Sequence, residues 1–204
     1  YSLVIRVTDD GAGTPYDEQT VVININDINE APVIINNTAP VLETDFNTVF
    51  PVTNQNGSNG QPATIQVLDG GNEMEITGKA WQQETVNLTI TADTFIEFDF
   101  YSTSEGEIHG IGFSNNVNDA FINEPLIKVF GTQTFADPNF ITAFDNYSLG
   151  DGWTRYMVNL GDYFAGTFTY MRFIADDDVG GNAVSNFRDV KIYRDATPSV
   201  TEGG

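Results

Sequence analysis

The segment FIEFDFYSTSEGEIHGIGF, residues 95–113, alternates apolar and polar side chains and then breaks at a run of small residues. In an extended strand, alternate side chains point to opposite faces. Ile96, Phe98 and Phe100 therefore share a face suited to a core. Glu97 and Asp99 share the other, with their carboxylates roughly 7 Å apart along the strand. The second half, Ser104-Glu105-Gly106-Glu107-Ile108-His109-Gly110-Ile111-Gly112-Phe113, reads as a further strand. If it is one strand, Glu107, His109, Ile111 and Phe113 share a face. Gly106, Gly110 and Gly112 leave room for close approach by a ligand or another backbone. Two strands with period two predict a β-sheet and not a helix.

The same pattern recurs along the chain. Strands are expected at residues 64–68, 73–77, 84–90, 95–101, 107–113, 126–130, 155–160, 168–174 and 186–193. Turn signals such as Asp69-Gly70-Gly71-Asn72 and Gly150-Asp151-Gly152 lie between them. No helical periodicity of any length interrupts the series. So many short strands within some 150 residues predict an all-β fold, an antiparallel β-sandwich of the jelly-roll kind. The expected organisation is an N-terminal β segment over 1–34, a linker over 35–40, the jelly-roll module over 41–194 and a C-terminal linker over 195–204.

The chain has 204 residues, with 8 Lys+Arg against 29 Asp+Glu, a formal net charge of −21, one His and no Cys. Such a charge argues against nucleic acid, whose phosphates need a basic patch. It argues equally against anionic membranes, and no stretch reaches the ~18 apolar residues of a span. Thiolate chemistry and Cys zinc sites are excluded. A three-His zinc site is excluded too, and a Ser-His-Asp triad would have to use His109. Oxygen ligation of a hard cation, carboxylate-pair chemistry and surface binding remain open.

Carboxylates gather in two places. Asp9, Asp27, Asn29 and Glu30 lie at strand ends in the first 34 residues, about half of the six to eight oxygens that calcium takes. Asp176, Asp177 and Asp178 follow an apolar strand and precede Gly180-Gly181. Three adjacent carboxylates repel unless solvated or shared with a cation. Glu105, Glu107 and Asp119 lie on loops that a fold can bring to the same place. Candidate sugar contacts are Trp153, Tyr163 and Phe135, since aromatic rings stack on the C–H faces of sugars, with His109, Gln133 and Asp119 as hydrogen-bonding partners. A core role for His109 and Trp153 is the alternative. The pair Glu97 and Asp99 has the same-face spacing of a glycosidase pair. The second acid those enzymes carry just beyond has no counterpart in Phe100-Tyr101-Ser102.

Two resemblances add to this. The stretch VTDDGAGTP…TVVININDINEAPV resembles the C-terminal third of a cadherin repeat, with Asp9 at its first Asp and Asp27 and Asn29 in its linker motif. Glu30 replaces the second Asp, and the motif is one residue shorter. This likeness covers residues 1–34 and implies calcium at the repeat boundary. The stretch FIEFDFYSTSEGEIHGIGF…VFGTQTF…GWTRYMVNLGDYFAGTFTYMRFIADDD…SNFRDVKIY is similar to calcium-dependent carbohydrate-binding modules of secreted bacterial proteins. It covers about residues 93–193. It implies a non-catalytic polysaccharide-binding module in which Asp176–Asp178 hold calcium and Phe135 stands where the family often has a stacking Trp. The expectation is a secreted or cell-surface multidomain protein that binds a polysaccharide with calcium. A calcium-stiffened adhesive spacer is the second reading, and a glycoside hydrolase or lyase the last.

Overall fold

A computed structural model of the chain describes residues 6–7, 17–18, 40–55, 63–118 and 124–194. The chain divides into two compact units, Tyr1–Ile35 and Asn36–Gly204. In the first, strands β1 (Arg6–Val7) and β2 (Asp17–Glu18) pair antiparallel. Asp9, Asp27, Asn29 and Glu30, and the cadherin-like motif they carry, lie outside the described residues.

The second unit is a sandwich of two sheets. The nine strands expected from alternation are β5 (Ala63–Leu68), β6 (Glu73–Gly78), β7 (Ala80–Ile90), β8 (Thr94–Tyr101), β9 (Ile108–Ser114), β10 (Leu126–Phe130), β12 (Thr154–Asn159), β13 (Gly166–Asp176) and β14 (Val184–Arg194). Three two-residue strands complete the sheets: β3 (Leu42–Glu43), β4 (Phe50–Pro51) and β11 (Phe140–Ile141). Their brevity kept them below any periodic signal. Among the described residues the helical turns are short 3-10 segments. Sheet I has the order β11-β10-β9-β13-β7-β4, and sheet II the order β12-β8-β14-β6-β5, with β3 beside the far half of β14. All pairs are antiparallel except β10 with β11.

The core lies between the sheets. Sheet II contributes Ile96, Phe98 and Phe100 from β8, Phe187 from β14 and Met74 and Ile76 from β6, all below 1% exposed. Sheet I answers with Ile111, Phe113, Met171 and Phe173. The Phe173 and Phe187 rings meet across the gap at 5.5 Å. Each such side chain contributes about 1.5–3 kcal/mol when fully buried.

Sheet I is buried on its outer face as well, where Trp81, Leu126, Phe140 and Ile174 form a second cluster. There Arg172, 1% exposed, lies beneath the segment that follows β9. Its guanidinium donates to Glu124 Oε2 at 3.0 Å and to the Asn116 carbonyl. The neighbouring Gln83 Nε2 donates to the Val117 carbonyl at 2.8 Å. Gly110 belongs to this packing: a Cβ there would lie 2.0 Å from the Ile127 carbonyl oxygen. Of the two reasons for the glycine run, close approach by a neighbouring backbone is the one seen at Gly110.

Candidate functional site

One end of the sandwich gathers three connections between the sheets. They are the turn at Gly78 and Lys79 between β6 and β7, the link 102–107 between β8 and β9, and the turn 177–183 between β13 and β14. Backbone bonds tie them together. Glu107 N–H donates to Asp176 O at 2.7 Å, and Gly78 N–H to Ala183 O at 2.7 Å. Val184 N–H donates to Ser104 O at 3.0 Å. Gly106 lets the strands approach, since a Cβ there would lie 2.6 Å from both Asp176 O and Ala183 Cβ.

Carboxylate oxygens of Glu107, Asp176 and Asp178 converge here, all within 4.8 Å of one another. Asp176 ends β13 and is 6% exposed. Its Oδ1 accepts no hydrogen bond. Burial raises its carboxyl to about 6, against the opposing charge of Lys79 and with the help of Asp178, Glu107 and Asp177. Glu107 is half-buried and accepts the backbone N–H of Asp178 through Oε2 at 2.8 Å. Among these side chains stands Lys79, 5% exposed. Its Nζ lies 3.7 Å from Asp176 Oδ1 and hydrogen-bonds Asp178 Oδ1. Burial lowers the Lys79 pKa, but the bond to Asp178 and the charges of Asp176, Asp178 and Glu107 outweigh it and leave it raised.

The donor set fits a hard cation. Three carboxylates converge, and one buried oxygen has no hydrogen bond. Oxygen ligands of this kind suit calcium and not a soft metal.

Asp177 does different work. It accepts the amides of Gly180 at 2.6 Å, Asn182 at 3.1 Å and Val179 at 3.3 Å, so it organises the turn. Burial pulls its pKa up, but amide hydrogen bonds from Gly180, Asn182, Val179 and Ala183 win and hold it below the ordinary value. Glu105 is exposed and stands apart from the three converging carboxylates. Asp119 lies outside the described residues.

His109 is fully buried. Gly106 N–H donates to its Nε2 at 2.7 Å, which places the ring proton on Nδ1, 2.8 Å from Ser185 Oγ. Ser185 Oγ donates onward to Ile174 O at 3.0 Å. Burial drives the His109 pKa down to about 3, so the ring is neutral. Of the two roles open to it in the sequence, the interior one matches this placement.

The aromatic candidates are spread out. Gln133, half-buried, adjoins the acidic cluster, its N–H donating to Glu107 O at 2.9 Å. Phe135 is 39% exposed, edge-on to Phe140 at 5.1 Å. Tyr163 lies beside the turn after β12, packed edge-on against Phe144 at 5.7 Å. That is the opposite end of the sandwich, roughly 25 Å away along the eight residues of β8. Trp153 enters β12 at the cluster's end, half-buried, with Tyr101 at 5.5 Å and the Arg188 guanidinium 4.1 Å above its ring.

Trp153 borders a row that sequence reading did not see. Across sheet II the register aligns Arg155, Asp99, Arg188 and Glu73 on the outer face. Asp99, 5% exposed, accepts from Arg155 Nε at 2.8 Å and from Arg188 Nε and Nη2 at 3.3 Å each. Arg155 also reaches Glu97 at 2.8 Å. Partners 56 and 89 residues away are invisible to strand periodicity. Lys79 was missed for the same reason. The one available signal was the scarcity of cations, since in a chain with eight of them a Lys between two buried strands needs an acidic partner.

No family model matches the chain, and no curated protein matches it. Among solved structures it is similar to the xyloglucanase domain of NopAA, a type three effector from Sinorhizobium fredii, in complex with cellobiose. The TM-score is 0.46 at 12% identity, covering 77% of this chain and 99% of that one. A mutant of the family 29 carbohydrate binding module CBM29-2 aligns with TM-score 0.36 and 14% identity over 72% of this chain and 89% of that one. The glycoside hydrolase domain of Endo-D from Streptococcus pneumoniae R6 aligns with TM-score 0.40 and 16% identity over 66% of this chain, which corresponds to 20% of that protein. Sugar-binding and sugar-cleaving proteins thus both stand among the similar structures.

Proposed function

We propose that the module over residues 41–194 is a non-catalytic, calcium-dependent polysaccharide-binding module within a larger secreted or cell-surface bacterial protein. The observation that carries the cation half is the convergence of Glu107, Asp176 and Asp178 at one end of the sandwich, with Asp176 Oδ1 buried and without a hydrogen bond. These three side chains would hold the ion, and Gln133 adjoins them. Bound there, calcium supplies positive charge to which vicinal hydroxyls can add as ligands. Trp153 and Tyr101, at the same end, offer ring surface for a sugar's C–H face.

The non-catalytic half rests on Glu97 and Asp99. Both are held by Arg155, and Asp99 by Arg188 too, so neither is a free acid or nucleophile of the kind a glycosidase pairs. In this reading the N-terminal 34 residues are the end of a cadherin-like repeat, with 35–40 as a linker, the module over 41–194 and a C-terminal linker over 195–204.

A second reading, a calcium-stiffened adhesive spacer, is favoured by Arg188, which covers one face of the Trp153 ring. Calorimetry against a glycan panel, with calcium and then with chelator, separates the two. The binding-module reading expects glycan affinity that chelation abolishes. A spacer would lose melting temperature to chelator and bind no glycan.

A further inference from the structure

We propose that Lys79 is a tethered counter-ion that occupies the Glu107–Asp176–Asp178 cluster when no metal is bound and must be displaced for a divalent cation to enter. The inference rests on the cation reading above and adds what sets the affinity. Lys79 forms ion pairs with two of the three carboxylates, Asp176 and Asp178, and the charge of Glu107 also acts on it. It is the single residue between β6 and β7, next to Gly78, which ends β6 with a φ of 85° and is fixed by its bond to Ala183 O. Its stem is anchored in the same knot of turns that presents the acids. The side chain is 6% exposed, so its ammonium has given up most of its water for Asp176 and Asp178.

Two facts make this an exchange and not a permanent salt bridge. Asp176 Oδ1 is buried, has no hydrogen bond and is 3.7 Å from Nζ, beyond direct hydrogen-bonding distance, so the ammonium satisfies the cluster incompletely. Three carboxylates carry a formal −3, of which Lys79 leaves −2 uncompensated and a divalent ion in its place leaves −1. An ion entering the cluster must meet the same oxygens that Lys79 contacts. Its binding free energy is therefore reduced by the ion pairs it breaks, and the released Lys79 head must reach solvent, as a flexible four-carbon stem allows. The device holds the turns together without metal and weakens metal binding in return.

The test compares the wild-type chain with Lys79→Met, which keeps the stem and removes the charge, and Lys79→Gln in parallel. Calcium affinity is measured by calorimetry, and melting temperature is followed in EDTA and in calcium. The expected result is calcium affinity at least about tenfold tighter in Lys79→Met, because no buried ion pair has to be broken. A lower melting temperature in EDTA is expected with it, and a larger calcium-induced rise than in wild type. Should Lys79→Met fold only in calcium, that outcome supports the proposal, and Lys79→Gln supplies the affinity. Equal or weaker calcium affinity in both variants overturns the counter-ion role while leaving the cation site standing. Absence of calcium binding in wild type and variants alike overturns both.

Discussion

Glu107 Oε2 accepts the backbone N–H of Asp178 at 2.8 Å across 71 residues of sequence. This bond joins the link before β9 to the turn after β13, and it turns two separate acidic motifs into one site. Removing the Glu107 charge while keeping its acceptor isolates the cation contribution. Glu107→Gln is expected to keep the fold and to weaken calcium by about tenfold or more. Asp176→Asn should do the same. Asp177→Asn should instead loosen the turn that its carboxylate organises, lowering stability by about 1 kcal/mol in calcium and in chelator alike. Calorimetry together with urea denaturation distinguishes these outcomes.

His109 gives the metal-free fold a pH dependence. Its folded pKa is depressed to about 3, from an ordinary 6.5. The stability it contributes is present above about 6.5 and lost as pH falls toward 3, because the unfolded chain takes up the proton first. At about 1.4 kcal/mol per unit, the full effect is on the order of a few kcal/mol. Urea unfolding in EDTA at pH 7 and pH 4 should show wild type losing more stability on acidification than His109→Gln. Equal losses would contradict the buried neutral ring.

Arg172 holds the segment after β9 against sheet I through Glu124 and the Asn116 carbonyl. Arg172→Met leaves Glu124 without its cation, and is expected to cost roughly 3 kcal/mol in chemical denaturation. Arg172→Lys should recover part of this, since an ammonium cannot reproduce the forked contact.

Trp153 separates ligand contact from packing. Trp153→Ala removes a half-buried ring and the stacking partner of Arg188. Melting temperature should fall by only a few degrees, since Phe98 and Phe100 hold β8 to the core without it. Glycan affinity should fall at least about tenfold. In wild type, glycan should shift the tryptophan emission, and Trp153→Phe, which keeps the fully buried Trp81, should abolish the shift.

The sequence announced the strands because period-two alternation is local. Ile96, Phe98 and Phe100 face the core as their spacing required, and each of the nine expected strands forms. Glu107 differs, since β9 begins one residue after it and Glu107 belongs to the link that meets Asp176 and Asp178. The site was legible only as acidic motifs, because their convergence depends on which turns share an end of the sandwich. Asp177 and Asp176 look alike in sequence, yet one accepts backbone amides and the other has a buried oxygen with no hydrogen bond. Lys79 and the arginines that hold Asp99 are tertiary facts, fixed by strands 56 to 99 residues apart.

The measurement that bears most directly on calcium-assisted glycan binding is calorimetric titration of a polysaccharide panel into the wild-type chain. It is made in calcium, after EDTA, and again with Glu107→Gln. Binding of at least one polysaccharide is expected in calcium, lost in EDTA and weakened in Glu107→Gln. Binding that is unchanged by EDTA and by Glu107→Gln would contradict it, as would no binding under any condition.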